Sequence, residues 1–490
     1  MSFSFPPLLI ANRGEIAVRV IRACRTLGVK SIAVFSKPDR DARHVALADQ
    51  AVPIGPAPAA ESYLSIPKIL QAAASTGAGA IHPGYGFLSE NAAFASAVEA
   101  AGLIWVGPPP AAIEAMGRKI ESRERMRAAG VPVVPGTHAI DDPGEVARVG
   151  VPCVVKASAG GGGKGMRVVR SLDDLPAAMA SCRREAEAAF GDGTVYLERY
   201  LERPRHIEVQ VFGDRRGTVV ALGERDCSLQ RRHQKVVEES PSPAVTPELR
   251  GRLASAATSA ARAVGYQNAG TVEFLLGPGG EFYFLEMNTR LQVEHPVTEE
   301  AFGLDLVALQ LSVAAGEPLP ASLPESPRAH AIEARVYAED PDASFLPQTG
   351  RILVYREPSG PGIRVDSGVQ EGTEISVYYD PMLAKVIASG GTREEARSRL
   401  AAALSEMSIL GVTTNLSYLR RVLLTEAFRA GETDTGFLER ASLPPAPEPD
   451  DAVFEAAAAA LGATARSGVP AGPGLAFPDP LATGRFRMSS

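Results

Sequence analysis

The chain has 490 residues, of which 45% are hydrophobic, 22% are charged and 6% are aromatic. Because domains usually contain about 100–200 residues, this length predicts two to four packed domains. No apolar run reaches the ~18 residues of a membrane-spanning helix, and the N-terminus lacks a signal-peptide pattern. A net charge of −7 with interspersed signs argues against a broad nucleic-acid surface. Four widely spaced cysteines are typical of a reduced, cytoplasmic protein without disulfides or a zinc site.

Residues 8–107 alternate short apolar runs with helical patterns, which predicts a doubly wound parallel α/β unit. The predicted strands cover 8–11, 31–35, 78–81 and 103–106. The predicted helices cover 15–27, 66–75 and 90–101. A helical stretch at 111–129 follows, and further strands are predicted at 151–157, 166–169, 207–212, 218–222, 270–276 and 281–287.

These patterns predict an α/β protein with several domains. The predicted units are an N-terminal domain at 1–112, linker helices and a compact segment at 113–203, a strand-rich core at 204–320, and a C-terminal mixed α+β domain at 321–440. Residues 441–490 are predicted to be a tail with a proline-rich linker and an alanine-rich helix at 451–460.

Lysine is rare in this chain, since 8 of the 50 basic residues are lysine and 42 are arginine. A lysine retained in such a chain indicates a position that needs a compact point charge rather than a planar guanidinium. Five of the eight lie in or near the motifs described below, namely Lys119, Lys156, Lys164, Lys235 and Lys385.

A glycine run lies between two predicted strands and reads Lys156-Ala-Ser-Ala-Gly-Gly-Gly-Gly-Lys164-Gly. Its glycines let backbone amides approach polyphosphate oxygens without a Cβ clash. It is not a P-loop, because Gly165 stands where that motif needs Ser or Thr. We therefore predict a phosphate-binding loop, with a flexible linker as the alternative.

Carboxylate and amide side chains mark a predicted hairpin. Glu273 lies in its first strand, and Glu286 and Asn288 face the same way in its second. Together they form the set of oxygen ligands that Mg²⁺ prefers, with nucleotide phosphates completing the shell. The same alternation continues towards a proline through Arg290, Gln292 and Glu294. Such alternation is typical of one strand face, and a solvated hairpin face is the alternative.

Cations are concentrated in the segment 225–239, where Arg-Arg-His-Gln-Lys stands at 231–235. Their density around His233 predicts an anion pocket, with an exposed charge run as the alternative. Cys227 lies in the same segment without a base or an acyl-transfer motif. We therefore expect a small buried side chain there rather than a nucleophile.

Seven segments together resemble the ATP-grasp superfamily, and within it the biotin carboxylases. The resemblance runs in order from about residue 6 to about residue 440. The segments are Ala-Asn-Arg-Gly-Glu-Ile-Ala at 11–17, His-Pro-Gly-Tyr-Gly-Phe-Leu-Ser-Glu-Asn at 82–91, the glycines at 160–165, Glu-Arg-Asp-Cys-Ser at 224–228, Arg-Arg-His-Gln-Lys at 231–235, Glu-Met-Asn-Thr-Arg-Leu-Gln-Val-Glu-His-Pro at 286–296 and Tyr-Tyr-Asp-Pro-Met at 378–382.

The resemblance implies a role for each residue of the site. It implies nucleotide contacts from Lys119, Lys156, Gly162, Gly163, Glu198, Arg199, Tyr200, Leu201, His206, His233, Glu273 and Glu286. It implies two ions of Mg²⁺ or Mn²⁺ on Glu273, Glu286 and Asn288. It implies bicarbonate contacts from Lys235, Arg290, Gln292 and Val293. Glu294 would act as the base, and Arg335 would face the ureido oxygen of biotin.

The implied activity is ATP- and bicarbonate-dependent carboxylation of biotin by way of carboxyphosphate, as in the acetyl-CoA and other acyl-CoA carboxylases of fatty acid biosynthesis. No lysine follows Lys385, so biotin is expected on a separate carrier protein. Carboxyltransferase subunits and a second copy of the chain are the other implied partners, with neither nucleic acid nor membrane. The alternatives are the biotin carboxylase of a pyruvate or other keto-acid carboxylase, a different ATP-grasp carboxylate–amine ligase, and a non-catalytic nucleotide-binding scaffold.

Overall fold

A computed structural model describes residues 4–137, 146, 148–158, 166–232 and 234–445. Its first part is a parallel sheet with the strand order β3-β2-β1-β4-β5. The strands are β1 Leu8–Ile10, β2 Ser31–Ser36, β3 Gln50–Gly55, β4 Ala80–His82 and β5 Ile104–Trp105. The helices are Gly14–Leu27, Arg43–Leu47, Ile66–Thr76 and Ala92–Ala100, with 3₁₀ turns at Lys37–Asp39 and Ala59–Glu61.

Alternate residues of β1 pack on opposite faces of this sheet. Leu8 and Ile10 join a core with the helix Gly14–Leu27, whereas Leu9 joins the helices Ile66–Thr76 and Ala92–Ala100. Both faces are therefore covered, which confirms the predicted doubly wound unit. The sequence prediction missed β3, whose segment Gln-Ala-Val-Pro-Ile-Gly contains proline and forms the edge of the sheet.

Linker helices and a small sheet follow. The predicted helical stretch at 111–129 consists of two helices, Pro110–Gly117 and Lys119–Ala128, which meet at the extended residue Arg118. The small sheet is antiparallel in the order β7-β6-β8. Its strands are β6 Cys153–Ala157, β7 Met166–Val169 and β8 Val195–Arg199. A 3₁₀ turn at Leu172–Asp174 leads into the helix Leu175–Phe190, which packs against this sheet.

A large antiparallel sheet begins at residue 205. Its first six strands are β9 Arg205–Gly213, β10 Val219–Arg231, β11 Gln234–Ser240, β12 Asn268–Leu276, β13 Phe282–Asn288 and β14 His330–Tyr337. The helix Pro247–Ala263 packs beside β9 and β12, and its Thr246 cap accepts a hydrogen bond from the amide of Leu249. The helices His295–Phe302 and Leu306–Ala314 connect β13 to β14.

The remaining strands are short apart from β19 and β21. They are β15 Glu339–Asp340, β16 Leu346–Pro347, β17 Gly350–Arg351, β18 Val354–Arg356, β19 Ile363–Ser367, β20 Glu374–Ile375, β21 Met382–Gly390 and β22 Ser408–Leu410. A 3₁₀ turn at Pro341–Ala343 precedes the helices Arg393–Glu406, Leu416–Leu424, Glu426–Ala430 and Phe437–Arg440. The large sheet has the order β13-β12-β9-β10-β11-β14-β21-β19, so it is continuous across the boundary predicted at 320–321. That boundary stays a prediction, and the helix predicted at 451–460 lies outside the described residues.

Candidate active site

A cleft of about 990 Å³ is lined by residues of the small sheet, the large sheet and the turn after β13. Each predicted site residue that the structure describes lies on its wall: Lys119, Lys156, Glu198, Arg199, Tyr200, Leu201, His206, Lys235, Glu273, Glu286, Asn288, Arg290, Gln292, Val293, Glu294 and Arg335. The predicted nucleotide contacts Gly162, Gly163 and His233 lie outside the described residues. Side chains that are up to 216 positions apart in the sequence thus share one cavity.

Lys235 is the cation at the centre of the cleft. Its Nζ lies 2.6 Å from Glu208 Oε2, 3.0 Å from Glu273 Oε1 and 2.6 Å from Glu294 Oε1. Burial lowers the pKa of the lysine, but these carboxylates outweigh burial and raise the pKa well above its usual value. Lys235 is therefore a permanent positive charge among three acids.

A β-bulge directs Lys235 into this position. Leu229 of β10 lies opposite Val237, whereas the next residue, Gln230, lies opposite Lys235. Val236 is therefore an extra residue in β11. Such an extra residue changes the side of the sheet to which the neighbouring side chains point. The alternation of the sequence alone gives no sign of this bulge.

Glu294 is held between two cations. Its Oε1 accepts from Lys235, and its Oε2 lies 3.0 Å from Arg335 Nη2. Burial raises the pKa of the Glu294 carboxyl, but Lys235 and Arg335 outweigh it and hold the pKa well below its usual range. Arg335 also lies 2.5 Å from Glu238, whose pKa burial raises to about 7. Glu294 is thus an ionised carboxylate at neutral pH and can accept a proton.

The predicted metal ligands lie together on the hairpin of β12 and β13. Glu273 lies directly opposite Glu286, and Asn288 Nδ2 donates to Glu273 Oε1 over 2.8 Å. His206 Nε2 lies 2.8 Å from the other oxygen of Glu273. Burial and the neighbouring Glu273 raise the pKa of Glu286. Two facing carboxylates beside an amide oxygen fit a divalent cation such as Mg²⁺, which prefers oxygen ligands.

The strand predicted at 281–287 agrees with β13, but the polar alternation from Glu286 to Glu294 does not lie on a single strand face. Strand β13 ends at Asn288, and Glu294 is the residue that begins the helix His295–Phe302. Arg290 and Gln292 reach the cleft from the intervening turn, where Arg290 donates to Gln292 over 2.6 Å and to Asn288 over 2.9 Å. The chain leaves the strand at Asn288, yet the turn still brings Arg290 and Gln292 next to the predicted metal ligands.

The other end of the cleft carries Lys156 and Glu198 on the paired strands β6 and β8. Lys156 Nζ donates to Glu198 Oε2 over 2.5 Å, and Arg123 Nε lies 3.1 Å from Glu198 Oε1. Burial lowers the pKa of Lys119 despite the nearby Glu286. These two lysines lie where a phosphate chain can approach the metal ligands.

Sequence reasoning assigned no role to several residues that build this site. Arg225 is fully buried and contacts Glu208, which also accepts from Lys235. Glu90 accepts from Arg290 Nε over 2.9 Å. Two signals were available, because Glu208 lies two residues after His206 on one strand face and Glu90 lies within the motif at 82–91.

Three family models match the chain in sequence. The biotin carboxylase N-terminal domain matches residues 4–113, the ATP-binding domain of the carbamoyl-phosphate synthase L chain matches 118–322, and the biotin carboxylase C-terminal domain matches 333–440. The chain belongs to the biotin carboxylase family. It is an ATP-dependent ligase with biotin carboxylase activity, as the sequence resemblance predicts.

Individual relatives of this family differ in the larger enzyme that they serve. The chain is 53% identical to a pyruvate carboxylase subunit of Methanothermobacter thermautotrophicus, covering 89% of this chain and 90% of the relative. It is 50% identical to the biotin carboxylase of Allochromatium vinosum, covering 90% of this chain and 99% of that relative. It is also 50% identical to the alpha chain of the mitochondrial methylcrotonoyl-CoA carboxylase of Dictyostelium discoideum, covering 93% of this chain but 66% of that longer relative.

Solved structures of the family have the same fold. A biotin carboxylase of Campylobacter jejuni, in a beta-gamma-ATP complex, superposes with a TM-score of 0.87 at 43% identity, covering 89% of this chain and 99% of that one. The biotin carboxylase domain dimer of the Hydrogenobacter thermophilus 2-oxoglutarate carboxylase, in complex with MgADP, ADP and bicarbonate, superposes with a TM-score of 0.85 at 45% identity, covering 89% and 98%. Among the described residues of the present chain, none of the helices has the length and apolarity needed to cross a lipid bilayer.

Proposed function

We propose that this biotin carboxylase carboxylates biotin carried on a separate protein, by way of carboxyphosphate, as the first half-reaction of an acyl-CoA carboxylase. The observation that carries the proposal is the carboxylate of Glu294, which lies between Lys235 and Arg335 in the same cleft as the facing Glu273 and Glu286. The proposed base, the proposed anion site and the proposed metal site are thus adjacent. The solved relative that holds MgADP and bicarbonate supports this interpretation.

The bicarbonate end uses Lys235, Arg290, Gln292 and Val293 to bind the anion. Glu294 takes the proton of bicarbonate, because its carboxylate oxygens lie beside Lys235 and Arg335, the two cations next to which the anion would bind. The deprotonated oxygen of bicarbonate then attacks the γ-phosphorus of ATP, and the bond from that phosphorus to the oxygen of ADP breaks. Fixing both reactants in one cleft removes much of the entropic cost of their encounter.

The nucleotide end uses both sheets. Lys119, Lys156, Glu198, Arg199, Tyr200, Leu201 and His206 line the part of the cleft proposed for ATP, and Gly162, Gly163 and His233 are proposed to complete it. Glu273, Glu286 and Asn288 would hold one or two Mg²⁺ or Mn²⁺ ions, which would offset the negative charge of the phosphates. The lysines add charge at the transferred group, and closure of the small sheet over it would exclude water.

The biotin end is assigned to Arg335. Carboxyphosphate breaks its carbon–oxygen bond to give CO₂ and phosphate, and this phosphate takes the ureido proton of biotin. The ureido nitrogen then attacks CO₂, while the guanidinium of Arg335 stabilises the negative charge on the ureido oxygen. Arg335 lines the cleft next to Glu294, which supports a biotin step beside the proposed bicarbonate site.

A separate biotin carrier, a carboxyltransferase and a homodimeric assembly are the proposed partners. None of residues 386–490 is lysine, so none of them can carry biotin through an amide bond. The pyruvate carboxylase relative supports a second candidate, in which the final acceptor is a keto acid. The methylcrotonoyl-CoA carboxylase relative supports the acyl-CoA candidate.

Transfer of labelled bicarbonate tests the proposal. The purified chain is incubated with ¹⁴C-bicarbonate, Mg-ATP and a separately purified biotinylated carrier domain. We expect acid-labile label on the carrier only when ATP is present and the carrier is biotinylated. ATP-independent label, or label on an unbiotinylated carrier, would contradict the proposal. Adding a carboxyltransferase with acetyl-CoA or pyruvate then separates the two candidates for the final acceptor.

A further inference from the structure

Lys385 is a buried lysine where three parts of the chain meet. It lies on β21 with no exposed surface. Its Nζ donates to the carbonyl of Val293 over 2.7 Å and lies 3.2 Å from Glu15 Oε1. Glu15 belongs to the N-terminal domain match, Val293 to the ATP-binding match and Lys385 to the C-terminal match. One ammonium group thus contacts all three.

The surroundings of Lys385 keep it charged. Asp366 lies directly opposite it on β19, and the ring of Tyr85 lies 6.0 Å from its Nζ. Burial lowers the pKa of Lys385, but the carboxylates of Glu15 and Asp366 contribute to a net rise above the usual value. A buried charge is stable only when it is paired and hydrogen-bonded, and both conditions are met here.

Lys385 is also a cross-strand neighbour of the residue that we assign to biotin. Arg335 on β14 lies directly opposite Lys385 on β21, so the two side chains share one face of the large sheet. Beyond that face lies the turn with Val293 and Glu294. The carbonyl that Lys385 holds belongs to the peptide whose nitrogen is that of Glu294. Fixing this carbonyl fixes the backbone from which the proposed base projects.

We infer that Lys385 is a positioning residue that holds the turn at Val293 so that Glu294 and the bicarbonate contacts keep their geometry. This inference rests on the proposed function, since it assigns a purpose to the bicarbonate site. Lys385 itself does not line the cleft in the part of the chain that the structure describes, so it acts through the turn rather than on the substrate. The inference also accounts for a lysine at this position in an arginine-rich chain. Because the side chain has no exposed surface, the site has room for a compact ammonium among its partners rather than for a larger guanidinium.

Two variants separate positioning from charge balance. Lys385→Met removes the donor to Val293 and leaves Glu15 without its cation, so its unfolding temperature should fall. The double variant Lys385→Met/Glu15→Gln removes both charges but still lacks the donor. Both are compared with wild type and with Lys30→Met, a change at an exposed lysine. The measurements are the KM for bicarbonate and the KM for ATP in bicarbonate-dependent ATP cleavage, and the unfolding temperature.

We expect Lys385→Met to raise the KM for bicarbonate by about tenfold or more, while the KM for ATP stays within about twofold. The double variant should regain most of the unfolding temperature but keep the raised KM for bicarbonate. A double variant that regains both or neither overturns the inference, as does a parallel rise of both KM values. Wild-type protein without bicarbonate-dependent ATP cleavage would instead count against the proposed function.

Discussion

The ammonium of Lys235 and the carboxylate of Glu294 lie 2.6 Å apart at the centre of the cleft, and Arg335 contacts the other oxygen of that carboxylate. The arrangement holds an ionised carboxylate between two cations, and we propose this carboxylate as the acceptor for the proton of bicarbonate. It also ties the proposed bicarbonate site to the residue assigned to biotin. Substitution of Lys235 and substitution of Arg335 should therefore affect different steps of the reaction.

Arg335→Lys should reduce biotin-stimulated turnover at least about tenfold more than bicarbonate-dependent ATP cleavage without biotin. A lysine keeps the charge but loses the planar guanidinium that can meet a ureido oxygen. Both rates are measured on one preparation, with Arg356→Lys on β18, an exposed position, as the control. Equal losses in the two rates would argue against a role of Arg335 towards biotin.

Glu286→Gln should weaken the use of Mg-ATP by about tenfold or more and leave the unfolding temperature unchanged or higher. The carboxylate faces Glu273 and lines the cleft, where we propose that it holds the cation. The assay titrates Mg²⁺ at fixed ATP, with Glu281→Gln, immediately before the same hairpin strand, as the control. Retained activity with early unfolding would show that Glu286 is structural.

Lys→Arg at 119, 156 or 235 should cost about tenfold or more in kcat/KM, which is about 1.4 kcal/mol of transition-state stabilisation. Each of these lysines lines the cleft, where we propose that it contacts phosphate or bicarbonate and where a bulkier guanidinium would displace that ligand. The same change at Lys30, Lys37 or Lys68, outside the cleft, should be nearly neutral. All six variants are assayed with saturating biotin, and similar costs in the two groups would refute the idea that retained lysines mark this site.

Glu15→Gln should change how stability depends on pH. Burial raises the pKa of Glu15 to about 7 despite the nearby Lys385. Because the folded pKa exceeds the ordinary value of 4.5, the folded state binds the proton more tightly, and Glu15 lowers stability as pH rises from about 4.5 to 7. The charged groups that face it are Lys385, Asp366 and Arg364, and Tyr85 donates to it.

The difference in free energy of unfolding between the glutamine variant and wild type should therefore shift in favour of the variant as the pH rises from 4.5 to about 7, by on the order of 3 kcal/mol. Urea unfolding at several pH values measures the difference. If the difference in free energy of unfolding between variant and wild type stays constant from pH 4 to 7, the raised pKa of Glu15 is contradicted.

The motifs of the sequence predicted which of the described side chains share the cleft, and the facing pair of Glu273 and Glu286 follows from strand alternation in a hairpin. Three features were not predictable in this way. The bulge at Val236 cannot be recognised from the pattern of polar residues. The turn that follows Asn288 has the same alternation of polar residues as a strand, so the end of β13 was not predictable from that pattern. The contact of Lys385 with Val293 joins residues 92 positions apart, which local patterns do not encode.

The rate of ATP cleavage by the wild-type chain, with and without bicarbonate and with added free biotin, tests the proposed chemistry most directly. Free biotin serves as the acceptor, so no partner protein is needed. We predict that ATP cleavage requires bicarbonate, because Glu294 and Lys235 act on that anion, and that biotin increases the rate through Arg335. ATP cleavage that is indifferent to bicarbonate, or that rises instead with a carboxylate and an amine, would contradict the proposed chemistry.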